Sequence, residues 1–343
     1  MGCSLVGWCT IGPKSCEAIS IVTRQQFDAP SVCDVSAEFG YYPDFFDGAN
    51  EIFSIQTKRD HESIVNSVID DPNVLEDWIY PGAQRQLEIV SGHVCQRPYN
   101  TRVFGLPKTH VLTLHKTEDR GDLDFVVWCL SFFVGMRLTT TDAGFLDATP
   151  IKPGKLVDFV LSSCALSDVV QLALNYLKSE RESPLAPKRV EAVIHALFLA
   201  QYPHNLPFEQ FQYLYMALDA CFSLIKAKES KPPRLKHAER IDWMCNKFGL
   251  PVPDWVDSNR NGGVGVGLSS VRNYAFHEAL FFGQPLGFAV SGDGQSSVSW
   301  SDVALQMRAL ICRLLIAILG DPGNDYVRKS VNTRQRYRLK LSS

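Results

Sequence analysis

Apolar and polar positions alternate in four short runs of the first third of the chain: Glu17 to Thr23, Ile52 to Thr57, Leu87 to Cys95 and His110 to Lys116. Period-two patterning with β-branched residues predicts strands. Turn-rich stretches separate them, among them Tyr42-Pro43-Asp44, Phe46-Asp47-Gly48, Asp70-Asp71-Pro72 and Pro81-Gly82. From Leu123 to Val134 almost every side chain is apolar and Gly135 follows, which predicts a buried helix with a glycine C-cap. Thr139 to Gly154 reads as a loop or short hairpin. Beyond it the period changes to that of helices. Helices are predicted over Leu166–Ser179, Pro187–Ala200, from Pro207 onward, over Ala238–Phe248 and over Ser301–Leu319. The third of these places Phe208, Phe211, Tyr215, Leu218, Phe222 and Ile225 at alternating steps of three and four, a core-facing stripe. A hairpin is predicted where Leu286–Val290 and Ser296–Trp300 flank Ser291-Gly292-Asp293-Gly294.

The expected fold class is therefore α+β. A β-rich N-terminal domain (residues 1–160) precedes an all-α helical bundle with a short β-hairpin insertion (161–322) and a basic C-terminal tail (323–343). No internal repeat is apparent.

Composition narrows the function classes. The 343 residues are 45% hydrophobic and 21% charged, with a net charge of −3, as in an ordinary globular protein. Any nucleic-acid role must then rest on local patches. The N-terminus carries no secretory pattern, and Val6 breaks the myristoylation pattern. Arg313 interrupts the apolar run Ala309 to Leu319, which is too short to span a bilayer. A cytoplasmic protein with no membrane partner is expected.

Candidate cofactor chemistry is sparse. The spacing of Cys3, Cys9 and Cys16 matches no zinc knuckle, and Cys129, Cys164, Cys221 and Cys312 sit in apolar surroundings as buried reduced thiols. His110 and His115 point to opposite faces of one strand, which disfavours a shared metal. Asp44 and Asp47, or Asp119, Asp122 and Asp124, read as turn carboxylates with no fixed partner. The loop Asn261 to Gly267 matches neither the dinucleotide fingerprint nor the P-loop. Neither metal nor cofactor is expected.

One stretch concentrates reactive groups: Ser269-Ser270-Val271-Arg272-Asn273-Tyr274-Ala275-Phe276-His277-Glu278. It is expected to open a helix capped by its serines. Asn273 and His277 are four apart and share a face. Arg272 stands about 140° around the axis from His277. Asp219 borders the stripe of the third helix, where it either faces solvent or reaches a basic group; Glu278 adjoins His277. Both are expected to support the site. Lys226 to Arg240 reads as a solvated basic linker and helix start. The tail carries Arg328, Lys329, Arg334, Arg336 and Arg338 with Tyr337. It reads either as a loosely docked arm or as an RNA-contacting one, in which cations meet phosphates and Tyr337 stacks on a base.

Arg272-Asn273 followed by His277 on a late helix, the earlier helix with Tyr213 to Asp219, the basic linker, His277-Glu278-Ala279-Leu280, Gly283 to Phe288 and a final apolar helix ending in Leu319-Gly320 together resemble the HEPN superfamily (higher eukaryotes and prokaryotes nucleotide-binding domains), in its ApeA-like branch. The resemblance covers roughly residues 187 to 322; residues 1–160 resemble no family. It implies a metal-independent endoribonuclease that acts as a homodimer with a composite site, and a defence or toxin-type effector role. The ribose 2′-OH would attack its own phosphate, leaving a 2′,3′-cyclic phosphate and a 5′-hydroxyl. Arg272 would hold the phosphate, Asn273 orient it and His277 transfer protons. The N-terminal domain would receive a trigger or regulatory partner. The alternative is a catalytically silent HEPN module that binds nucleotide or RNA or serves as an accessory assembly protein. In the bland reading Arg272 caps a carboxylate and His277 is an interface histidine.

Overall fold

The computed structural model describes residues 34–341 apart from 83, 98–103, 116, 118, 143–146, 163–164, 257–266, 288–299 and 332–334. The strand expected over Glu17–Thr23, the N-terminal cysteines, Cys164, most of the Gly-rich loop, the hairpin around Ser291–Gly294 and Arg334 lie outside the described residues.

The chain mixes strands and helices. Its principal sheet has the order β1-β8-β3-β2, from β1 (Val35–Phe39), β2 (Gly48–Ala49), β3 (Phe53–Thr57) and β8 (His110–Leu114). All pairs are antiparallel, with Phe39 opposite His110 and Phe53 opposite Leu114. Phe39, Phe53, Ile55, Leu112 and Leu114 turn inward, as the alternation requires. Helix α1 (His61–Ile69) follows β3. Strands β4 (Val74–Leu75), β5 (Trp78–Ile79) and β9 (Thr149–Pro150) form a small second sheet. The single strand expected over Leu87–Cys95 is instead a hairpin of β6 (Gln84–Glu88) and β7 (His93–Arg97). The chain reverses at Gly92, whose φ of +66° suits a residue without a Cβ.

Helix α2 (Arg120–Val134) is buried along most of its length because β1 and β8 cover one side while α3 (Leu166–Ser179) and α4 (Leu185–Leu199) cover others. It ends as expected at Gly135, with φ +63°. A Cβ there would stand 2.6 Å from Val157 Cγ2, so glycine is required twice over. The hydrophobic core is consequently continuous across residue 160.

The helical half contains α5 (Pro207–Ala227), α6 (His237–Phe248), α7 (Leu268–Asn273) and α8 (Trp300–Leu319), with a two-stranded turn of β11 (Leu280–Phe281) and β12 (Gln284–Pro285) between the last two. Helix α5 is central, packing on α4, α6 and α8. Its Phe211, Tyr215, Leu218, Phe222 and Ile225 are buried, each large side chain contributing about 1.5–3 kcal/mol.

The tail is docked rather than loose. Strand β13 (Tyr337–Leu339) pairs in parallel with β10 (Phe159–Leu161). Its anchor is Arg313, wholly buried in α8. Its Nη1 donates to Asp158 Oδ2 at 3.0 Å and to the Ala309 carbonyl at 2.7 Å; Nε and Nη2 donate to the Lys329 and Ser330 carbonyls at 2.9 Å each. Tyr326 donates to the same carboxylate, and its ring lies 4.4 Å from the guanidinium. A charge taken out of water persists only when paired and hydrogen-bonded in this way. No helix among the described residues is long and apolar enough to cross a membrane.

Candidate functional site

Leu268, Val271 and Ala275 are buried and pin α7 through one face. Gly267 occupies the N-cap position, so Ser269 and Ser270 lie inside the first turn and do not cap it. After Asn273 the helix widens into a π turn, Tyr274–Glu278, closed by the Ala279 N–H donating to the Tyr274 carbonyl five residues back. The α-helical spacing expected between Arg272, Asn273 and His277 therefore does not carry across this turn.

Arg272 is half-buried, and its Nη1 donates to Asn273 Oδ1 at 3.1 Å. Its guanidinium lies 5.2 Å from the Phe276 ring centre, a cation–π contact. Asn273 thus orients the arginine itself. His277 and Glu278 are exposed, and no hydrogen bond joins His277 to a described side chain. Tyr274 and Phe276, each about half exposed, flank them.

A second group of side chains stands within electrostatic reach of Arg272. Tyr215 and Asp219 are one turn apart on α5; His237 and Arg240 are one turn apart on α6. Arg240 Nη1 donates to Asp219 Oδ1 at 2.9 Å and to His237 Nδ1 at 3.1 Å, and the Tyr215 hydroxyl lies 2.9 Å from the same nitrogen. A guanidinium has only donors, so Nδ1 must accept. His237 is thereby held neutral with its proton on Nε2. Burial and then the Arg240 charge depress its pKa, with Arg272 adding to the effect and Asp219 opposing it. Burial and the Asp219 charge push the Tyr215 hydroxyl up to about 12.

Asp219 thus reaches a basic group, Arg240, while Arg272 has Asn273 as its direct partner. Sequence reading missed Tyr215, His237 and Arg240. Arg240 belonged to a stretch read as a solvated charge run, yet it pairs with Asp219 and packs 4.9 Å from the Phe222 ring centre. The only sequence signals were the i, i+4 pair Tyr215/Asp219 and the i, i+3 pair His237/Arg240 on neighbouring helices.

The tail cations Arg328, Lys329, Arg336 and Arg338 are exposed. Arg336 donates to the Gly154 carbonyl at 3.1 Å. Tyr337, the stacking side chain of the RNA-contacting reading of the tail, has its ring 5.7 Å from that of Tyr326 and 5.5 Å from the Arg313 guanidinium. Among the described residues these tail contacts are with α8, β10 and the segment before it, and none is with α7.

The other candidates resolve into structural roles. Asp119 caps α2 by accepting from the Gly121 N–H at 2.7 Å, Asp124 accepts from Thr140, and Asp47 accepts from the Thr57 N–H. His115 pairs with Asp34 at 2.8 Å, whereas His110 is fully buried. No group of three or more His, Cys, Asp or Glu side chains that could hold a metal occurs among the described residues. Burial raises the thiol pKa of Cys129, Cys221 and Cys312, leaving them protonated and inert.

No protein-family model matches the chain, and no curated protein or solved structure is detectably similar to it.

Proposed function

We propose that the chain is an RNA-cleaving protein whose chemistry takes place at the α7 turn. The observation that carries this reading is the gathering, beside the middle of α5, of the Arg240 guanidinium and a tautomer-locked His237 within electrostatic reach of Arg272, on the same turn as an exposed His277. Imidazoles and guanidinium groups suit transesterification at phosphorus. Arg272, held by Asn273, binds the scissile phosphate and offsets the charge that builds on it. His237 offers its Nε2–H to a phosphate oxygen. His277 takes the proton of the attacking 2′-OH while the bond from phosphorus to the 5′ oxygen breaks. The His277 of a second copy returns a proton to that oxygen. The products are a 2′,3′-cyclic phosphate and a 5′-hydroxyl. A bacterial defence or toxin-type role, with the N-terminal half receiving a trigger, accords with the HEPN resemblance.

A second reading, a module that binds RNA without cutting it, is favoured by the lack, among the described residues of one chain, of an orienting hydrogen bond at His277. The full chain, His277→Ala and Arg272→Ala, each incubated with mixed RNA in EDTA, separate the two. Loss of the acid/base group lowers cleavage by about 10²–10⁴-fold. Cleavage by His277→Ala at the wild-type rate would sink the catalytic reading. Salt-dependent binding by all three proteins, with no cyclic-phosphate ends formed, selects the binding module.

A further inference from the structure

A cleft of about 340 Å³ opens between the end of the principal sheet, the first turn of α2 and one face of α3. Its floor is aliphatic, built by Ile52, Leu114, Leu174 and Leu177. Its rim is polar. Gln171, Asn175 and Lys178 follow one another at helical spacing along α3, and Arg181 extends the row just past the helix end. Among the described residues no element covers this half of an amphipathic face.

The charges on the rim are unevenly matched. Among the described residues neither Lys178 nor Arg181 closes an ion pair, and the neighbouring acid Glu180 is already taken by Lys228 at 2.7 Å. The opposite wall carries Asp122, which accepts from the Thr117 hydroxyl at 3.2 Å. Burial and then the Asp119 charge raise the Asp122 pKa, with Thr117 and Arg181 opposing. Gln171 donates to Asn175 Oδ1 at 2.9 Å; among the described residues nothing else bonds the Gln171 carbonyl oxygen or the Asn175 N–H groups, which can meet a ligand edge.

We infer that this cleft binds a phosphomonoester carried on a flat or apolar body. The Arg181 fork and the Lys178 ammonium, three residues apart, meet the terminal phosphate oxygens; three such oxygens suit two separated cations better than the two of a carboxylate. The body lies on the four aliphatic side chains, and a donor on that body meets Asp122. The volume falls at the lower end of the range for small-ligand sites. Nucleoside monophosphates and aryl phosphates share this chemistry. The site lies on elements other than α5, α6 and α7, and the inference does not rest on RNA cleavage.

Calorimetric titration of the full chain tests it, using AMP, phenyl phosphate, adenosine and inorganic phosphate as probes. The expected result is binding of AMP or phenyl phosphate, with adenosine and inorganic phosphate each weaker by about tenfold or more. The double variant K178Q/R181Q, at exposed positions whose change leaves the fold intact, weakens the phosphomonoester by about tenfold. His277→Ala leaves it unchanged. Asp122→Asn discriminates the sources: it weakens AMP, which carries an exocyclic amine, more than phenyl phosphate. No binding of either phosphomonoester at millimolar concentration overturns the inference. So does equal binding of inorganic phosphate, or binding indifferent to K178Q/R181Q.

Discussion

Mild acid should weaken this fold through one buried side chain, His110. Its ring is fully buried among Phe39, Tyr42 and His61, with the His61 ring centre 5.4 Å away and Nδ1 bonded to the Thr109 hydroxyl at 2.9 Å. No described group meets hydrogen-bond geometry with Nε2, the Asp44 backbone being its nearest acceptor influence. Desolvation, and secondarily the His61 charge, depress the His110 pKa to about 4, against opposing effects from Asp47 and the Asp44 backbone. At pH 7 both folded and unfolded chains hold a neutral imidazole. As the pH falls through about 6.5, the unfolded chain takes up a proton that the folded chain refuses. Stability present at neutral pH is therefore lost progressively until the folded pKa is passed. The loss from this residue is about 2 kcal/mol between pH 7 and pH 5, and about 3 kcal/mol once the pH is below 4. With a urea m-value of about 3 kcal/mol/M, the first figure moves the unfolding midpoint by roughly 0.7 M. The assay is urea unfolding at both pH values for the wild type and His110→Phe, which keeps an aromatic ring in the cluster and cannot titrate. The variant is less stable at pH 7 by about 1 kcal/mol for the lost hydrogen bond. Its further loss on going to pH 5 should be smaller than that of the wild type by about 2 kcal/mol. Equal losses in the two proteins would refute the reasoning.

Two further predictions concern the tail anchor and the α5–α6 cluster. Arg313→Ala strands the buried Asp158 carboxylate and should cost about 3–5 kcal/mol in chemical unfolding. Adding Asp158→Asn should restore part of that loss, and a double variant no more stable than Arg313→Ala would contradict the pairing. Arg240→Gln removes the charge that stands beside His237, so the His237 pKa followed by proton NMR should rise relative to the wild type; an unchanged or lower value would show that Arg240 does not hold it down.

Most helices could be read from the chain because their information is local. Leu166–Ser179 matches its expected span, and α2 ends at the expected Gly135, where a glycine can turn left-handed. The stripe on α5 is legible for the same reason: a 3.6-residue period and a first-turn proline are both written within a few residues. The alternation in β3 and β8 likewise predicts strands, but not that β8 stands between β1 and β3, since pairing joins residues far apart in sequence.

Tertiary structure decided the partners of the polar groups. Arg313 looked like a defect in an apolar run; only the return of the tail beside β10 supplies the carbonyls and the carboxylate that make its burial tolerable. Tyr337 looked like a stacking platform, and the same return gives its face to Tyr326 and Arg313. At the candidate site the sequence singled out Arg272, Asn273 and His277 because they are neighbours on one turn. It was blind to His237 and Arg240, which come within electrostatic reach of Arg272 only when α6 packs against α5 and α7. Local pattern determines which segments coil and which face they bury. Which charge meets which, and therefore which imidazole is locked, is settled by packing between segments that the chain keeps apart.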